Sequence, residues 1–223
     1  MKRLLEVCAG SLQSALAAAA GGAERLELCA ALPLDGLTPS VGLLQTVRHY
    51  CPDQRIHVLI RPREGHFVYS EAEVEAMLAD IEALLPWADG IVGGALTAAG
   101  DLDVAVTRRL VEACQGKPFT FHRAFDVCRE PLRVLHQLID LGCARLLTSG
   151  QQPSALQGAE LIRQLVDKAA GHLVVMPGGG VSAANAAQVL RLTGATEIHG
   201  SARGGGSDTS AAEVEAIRQA INF

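Results

Sequence analysis

The sequence predicts a closed (β/α)8 barrel of the TIM type, an α/β fold built as one domain over residues 1–223. Three observations carry that reading. One unit recurs eight times: a short β-branched or Leu-rich run, a polar or Gly-containing loop, and an amphipathic stretch. Such tight β-then-α repetition favours parallel strands with crossover helices. The 223 residues are 49% hydrophobic yet only 4% aromatic, which suits Val, Ile and Leu strands buried under small-residue helices. An open doubly wound sheet is the alternative, but no G-x-G-x-x-G turn follows the first strand.

Taken in order, the strands fall near residues 3–8, 24–29, 55–61, 89–93, 118–123, 144–149, 172–177 and 196–201. The helices between them fall near 11–20, 39–50, 71–85, 102–115, 131–141, 155–170, 183–193 and 210–221. Helix starts carry local signals. Ser70-Glu71-Ala72-Glu73 reads as a capping box. Thr38-Pro39 reads as a cap followed by proline at the first helical position, and Ser182 precedes another helix. Gly142 and Gly194 stand just past helix ends, where a left-handed backbone is needed.

Strand parity says most about function. Successive side chains alternate faces, and the outer face of a barrel strand must bury against helices. Leu5 and Val7, Leu26 and Leu28, Ile56, Val58 and Ile60, Phe119 and Phe121, and Ile198 therefore point outward. Glu6 and Cys8, Arg25, Glu27 and Cys29, His57 and Arg61, Thr120 and His122, and Glu197, His199 and Ser201 point inward. Barrel interiors are usually filled with branched aliphatics. A lumen holding Glu6, Glu27, His57, Arg61, His122 and His199 must pair its charges or bind something, because unpaired burial costs several kcal/mol per ion. The plain expectation is a satisfied salt-bridge network centred on Arg61. The functional one is a site, because these positions lie toward the strand C-termini, where barrel sites assemble.

Charge and composition exclude other classes. The net charge is −5 and the basic residues are scattered, so nucleic acid is not an expected partner. No apolar run approaches the ~18 residues of a membrane span. Met1-Lys2-Arg3-Leu4-Leu5 is a basic start, but Glu6 arrives too early for a signal-peptide core, so a cytoplasmic location is expected. The six cysteines form no C-x2-C pair and are expected to be free, mostly buried thiols.

Three constellations are candidates for chemistry. Glu6-Val7-Cys8 and Glu27-Leu28-Cys29 sit on neighbouring strands about 4.8 Å apart, which sets Cys8 and Cys29 side by side at the barrel mouth. Two soft sulfurs suit Cu(I); two buried structural cysteines are the plain alternative. The run Phe119 to Asp126 gathers His122, Arg123 and Asp126 at a strand end, near Arg61, in position for acid–base work or anion recognition. Gly178, Gly179 and Gly180 close strand seven, and Ser201 and Arg203 follow strand eight. Loops after those two strands frequently bind phosphate.

These residues resemble a known family. Glu6-Val7-Cys8, Glu27-Leu28-Cys29, Gly36-Leu37-Thr38-Pro39-Ser40, Ile60-Arg61-Pro62-Arg63 and Phe67-Val68-Tyr69-Ser70 occur in order. Gly94-Ala95-Leu96-Thr97, Thr120 through Asp126, Leu147-Thr148-Ser149-Gly150, Pro177 through Gly180 and Ser201-Ala202-Arg203 follow them. Over about residues 4–203 the chain is similar to the CutC family, named for copper homeostasis. The resemblance implies a cytoplasmic TIM-type barrel, a homo-oligomer, and Cu(I) held by Cys8 and Cys29. It maps a shared polar mouth onto Glu6, Glu27, Arg61, His122, Arg123, Asp126 and Arg203. The chain departs from the family pattern at Gly93, where an aromatic is expected and a wider pocket would follow, and in a shortened segment over 204–209.

Two functions therefore stand at this stage. One is Cu(I) binding through Cys8 and Cys29. The other is an enzyme acting on a small anionic or phosphorylated metabolite. In it Gly178–Gly180 and Arg203 hold the anion, while His122 with Glu6 or Glu27 moves protons.

Overall fold

The computed structural model describes residues 3–222; Met1 and Lys2, which open the basic start, and Phe223 lie outside it. Among the described residues eight strands alternate with eight α-helices. They are β1 Leu4–Ala9, α1 Leu12–Ala20, β2 Arg25–Leu28, α2 Val41–Tyr50, β3 Arg55–Leu59, α3 Glu71–Leu84, β4 Gly90–Gly93 and α4 Val104–Ala113. After them come β5 Phe119–Phe121, α5 Pro131–Asp140, β6 Arg145–Thr148, α6 Ala159–Ala169, β7 Val174–Pro177, α7 Ala186–Thr193, β8 Glu197–Gly200 and α8 Ala211–Ile221. All strand pairs are parallel, and β1 lies between β2 and β8. A parallel bridge from Gly178 to His199 joins β7 to β8 and closes the barrel. Among the described residues no helix is long and apolar enough to cross a membrane.

The alternation read from the sequence is the alternation observed. Leu5, Val7, Leu26, Leu28, Ile56, Val58, Ile60, Phe119, Phe121 and Ile198 lie in the large core between sheet and helices. Cys8, Cys29, Leu59 and Val92 form a separate small cluster inside the barrel. Six cysteines are free and buried, as small hydrophobes usually are.

Helix starts follow the chemistry of the orphan amides in a first turn. Ser11, Ser40, Ser70, Asp103 and Ser210 each accept from an amide in the first turn of α1, α2, α3, α4 and α8. Ser70 and Glu73 complete the expected capping box. Gly142 and Gly194 take the expected positive φ, 76° and 73°. Two helix starts differ from the sequence reading. Ser40, not Thr38, caps α2 by accepting from Leu43 N at 3.1 Å. Thr38 is drawn instead to the β3 loop, where its hydroxyl accepts from Arg61 N at 2.9 Å. The carbonyl of Ser182 accepts from Asn185 and Ala186, so a turn precedes α7 and the helix begins three residues late.

The lower lumen holds an ion network, but its centre is Arg25, not Arg61. Arg25 donates to Glu6 and to Glu197, and Glu197 also accepts from Arg145 Nε at 2.8 Å. Arg25 and Glu6 are almost wholly buried. Arg61 does different work: its guanidinium donates to the carbonyls of Leu34, Gly36 and Gly65 at 2.9–3.1 Å. It ties the loop after β2 to the loop after β3.

Candidate functional site

Above the ion network, at the C-terminal ends of the strands, lies a cavity of about 660 Å³. Its floor is built by strand ends. Cys8 comes from β1, Glu27 from β2 and His199 from β8. One ligand atom from each of these three lies within 4.8 Å of the others. The register brings them together, because Glu6 stands level with His199 across β1 and β8, and Cys8 level with Glu27 across β1 and β2. Cys8 Sγ is 3.6 Å from Cys29 Sγ, and Cys29 Sγ also points at Ala9 O.

His199 is fixed from behind. Its Nδ1 lies 2.8 Å from Glu6 Oε1, while Nε2 lies 3.7 Å from Glu27 Oε2. With Nδ1 committed to Glu6, Nε2 is the nitrogen left for the cavity. Burial opposes charge on Glu6, but the Arg25 guanidinium and then His199 hold it well below the usual carboxylate range. Burial pushes Glu27 up, with His199 only partly offsetting it. Burial also works against a charged His199, yet Glu27 and Glu6 together raise it above an ordinary histidine. The Cys8 thiol is pushed up by its hydrogen bond with Cys29 and by burial. Glu6 is therefore a fixed anion that orients His199. Of the two glutamates, Glu27 is the one that lines the cavity.

The opposite wall comes from the loops after β5 and β7. Arg123 Nε donates to Asp126 Oδ2 at 2.8 Å and its Nη2 to Ser149 Oγ at 3.0 Å. The guanidinium sits beside Gly179, where a Cβ would come 3.6 Å from its central carbon. Gly179 and Gly180 have φ of 103° and 68°, a left-handed backbone that only glycine adopts at little cost. Among the described residues no protein acceptor takes the Gly180 amide. Ser201 accepts from Arg203 Nε at 3.2 Å, and both residues line the cavity rim.

Three sequence assignments change. Gly178 is not part of the cradle: its amide donates to Thr148 O and it forms the closing bridge, and a Cβ there would strike Leu147 at 2.5 Å. Asp126 takes on a bracing role. Its carboxylate accepts from Ser149 N, Ser149 Oγ, Gln151 N, Thr148 Oγ1 and Arg123 Nε. Gly93 does not widen the pocket. It lies on the outward parity, where a Cβ would meet Phe119 at 3.3 Å, so an aromatic there would affect the outer layer.

The inward glycines at the start of β4 and just past its end do matter. Gly90 leaves room for the His57 ring, and Gly94 for His122, since Cβ atoms there would come within 2.6 Å of His57 Nε2 and 2.7 Å of His122 Nδ1. Burial lowers His57 to about 4. Burial, then the Arg61 charge, lowers His122 to about 3. Gly94→Ala should force the His122 ring aside and destabilise the fold by about 1–3 kcal/mol. Urea unfolding checks this, and an unchanged midpoint would show that the ring is not confined as described.

The comparisons with known proteins agree with this architecture. The model of the CutC family matches residues 3–204. A family protein CutC from Parabacteroides distasonis is 51% identical over 204 residues, covering 91% of this chain and 84% of the relative. A copper homeostasis protein cutC homolog from Mus musculus is 50% identical over 201 residues, covering 90% of this chain and 74% of the relative. The solved structure of the CutC protein from Streptococcus agalactiae superposes with a TM-score of 0.85 at 33% identity, covering 89% of this chain and 98% of that one.

Proposed function

The chain belongs to the CutC family, and from that premise we propose that it binds Cu(I) in the cytoplasm through Cys8 and Cys29 at the floor of the barrel mouth. The observation that carries this reading is the donor set: two sulfurs 3.6 Å apart, with an imidazole and a carboxylate beside Cys8. Thiolate and imidazole are soft enough for Cu(I), which tolerates low coordination, whereas a closed zinc site wants four ligands. His199 Nε2 supplies a third donor. Glu6 on Nδ1 is the carboxylate that fixes a ligating histidine from behind. The Cys8 thiol, pushed up by Cys29 and by burial, gives up its proton when it takes the ion, so capture of the ion releases a proton.

Titration with Cu(I) under anaerobic, reducing conditions against a chromogenic Cu(I) chelator tests this. The Cys8→Ser/Cys29→Ser double variant should weaken binding by roughly 100-fold or more, since even outer-shell partners are worth 10–100-fold. Equal affinity in wild type and the double variant would refute the thiol site.

A second reading is favoured by the size and far wall of the cavity. About 660 Å³ is far more than an ion occupies. Gly179, Gly180, Arg123 and Arg203 form an anion-compatible wall at the loops where barrels hold phosphate. That wall supports an enzyme acting on a small anionic or phosphorylated metabolite, with Glu27 as the carboxyl facing it.

A further inference from the structure

Beyond the Cu(I) reading, we infer that Cys8, Glu27 and His199 form a second kind of metal centre: a divalent, zinc-type site with three protein ligands and a fourth position open to the cavity. The three residues stand on the adjacent strands β1, β2 and β8, and one donor atom of each lies within 4.8 Å of the others. His199 Nε2 and Glu27 Oε2 are 3.7 Å apart. Two ligands about 2.1 Å from one tetrahedral ion are roughly 3.4 Å from each other, so a small side-chain rotation brings both onto it. Cys29 is outside this set, on the other side of Cys8, with its sulfur pointing at Ala9 O.

The carboxylate is what demands a cation. Glu6, on the floor below, is met by Arg25 and by His199 Nδ1. Glu27 is buried at 5% exposure, and among the described residues no guanidinium or ammonium pairs with it; its ion-pair neighbour is His199 Nε2. Buried charges are paired or coordinate a metal. The two Glu27 oxygens and His199 Nε2 are not sealed off as His57 Nδ1 and His122 Nε2 are. They keep accessible surface, and Cys8, Glu27 and His199 all line the cavity. Charge selects the ion. Glu27 and a Cys8 thiolate carry two negative charges beside a neutral imidazole, which a divalent ion balances and Cu(I) does not. A thiolate, an imidazole and a carboxylate are all zinc donors, whereas a hard oxygen adds little for Cu(I). Glu6 on Nδ1 supplies the outer carboxylate that orients a ligating histidine. Three protein ligands leave the fourth position to a water or to an oxygen of a bound ligand.

The full chain is titrated anaerobically with Co(II), a coloured stand-in for Zn(II). Wild type should show a sulfur-to-cobalt charge-transfer band and tetrahedral d–d bands, and Zn(II) should bleach both by displacing the weaker-binding ion. Cys29→Ser should keep the charge-transfer band, because one thiolate is enough, and this separates the centre from the Cu(I) thiol pair. Glu27→Gln should weaken Co(II) binding by roughly 100-fold, since even outer-shell partners are worth 10–100-fold. Its urea midpoint without metal should match or exceed that of wild type, because the change removes a buried charge that no protein cation pairs. Acetohydroxamate, a small oxygen chelator, should shift the d–d bands of the wild-type Co(II) form. A wild type without the charge-transfer band, its loss in Cys29→Ser, or unchanged Co(II) affinity in Glu27→Gln overturns the centre, while the Cu(I) reading stands or falls on its own titration. A lower midpoint for Glu27→Gln would reveal a partner for the carboxylate within the protein and overturn its need for a cation. Bands unmoved by acetohydroxamate overturn the open fourth position.

Discussion

Arg25→Met should cost about 3–5 kcal/mol of folding stability, because it removes one partner from a buried ion network and leaves its anions behind. The loss will not be shared evenly. Glu197 keeps Arg145 at 2.8 Å, whereas Glu6, among the described residues, loses its guanidinium partner and retains His199. The second variant follows from that asymmetry. Arg25→Met with Glu6→Gln should recover more than half of the loss, since the amide carries no charge and its oxygen still accepts from His199. The pH dependence has a definite sign. Glu6 is held below its ordinary value of 4.5 in the fold, so its pairing stabilises fully above that pH and is lost as pH falls through the folded value. The gap between wild type and Arg25→Met is therefore widest near neutral pH and narrows below about 4.5. Urea unfolding from pH 7 to pH 3 measures it; a gap that widens with acid would show that Glu6 is not the anion at stake.

This network ties stability to the site above it. Arg25 fixes Glu6, Glu6 fixes His199 Nδ1, and His199 Nε2 is thereby presented to Cys8 and Glu27. A buried ion pair is weak support for stability in itself, since an apolar replacement can do as well. Its use here is orientation. The carboxylate must be charged and immobile to hold a histidine in one tautomer, and the guanidinium makes it so.

Much of this was legible in the chain because a strand's period is two. Once Leu5, Val7, Leu26 and Leu28 are assigned to the helix side, Glu6, Cys8, Arg25 and Glu27 have nowhere to go but the axis. The doubled Glu-x-Cys placed the two thiols correctly for the same reason. What parity cannot give is height along the barrel axis, since the stagger between neighbouring strands is a property of closure. Arg25, Arg145 and Glu197 each open a strand and so lie at the lower end, where they form the network that sequence reasoning had centred on Arg61. Arg61 lies two residues beyond β3, past the ladder, and there it meets loop carbonyls. His199 was read as an inward residue but not as a site residue. Its role depends on the β1–β8 register, which joins the two ends of the chain. The glycines divide the same way. Gly179 and Gly180 were readable as a loop, but only closure of the barrel reveals that Gly178 is consumed by it.

Asp126→Ala should be the most damaging change at the top of the barrel. Its side chain is 9% exposed and accepts from the amides of Ser149 and Gln151, from the Thr148 and Ser149 hydroxyls and from Arg123 Nε. Hydrogen bonds to a charged acceptor are worth about 1.5–3 kcal/mol each and do not add fully. Water can reach some of the stranded donors at the rim, so a net loss of about 3 kcal/mol is expected. The damage has a local signature that a general loss of stability lacks. The amides of Ser149 and Gln151 lose their shared acceptor, and their hydrogen exchange should accelerate far more than that of the β1 and β2 ladder. Arg123 loses its Nε anchor while Ser149 Oγ, its other partner, loses its own, so the guanidinium should leave Gly179 and the anion wall should disperse. Asp126→Asn separates charge from shape. Its amide nitrogen meets donors where an oxygen stood, and it should lie between wild type and Asp126→Ala in both stability and exchange. Uniform acceleration across all strands in Asp126→Ala would mean that the carboxylate contributes only bulk stability and does not hold the β5 and β6 loops together.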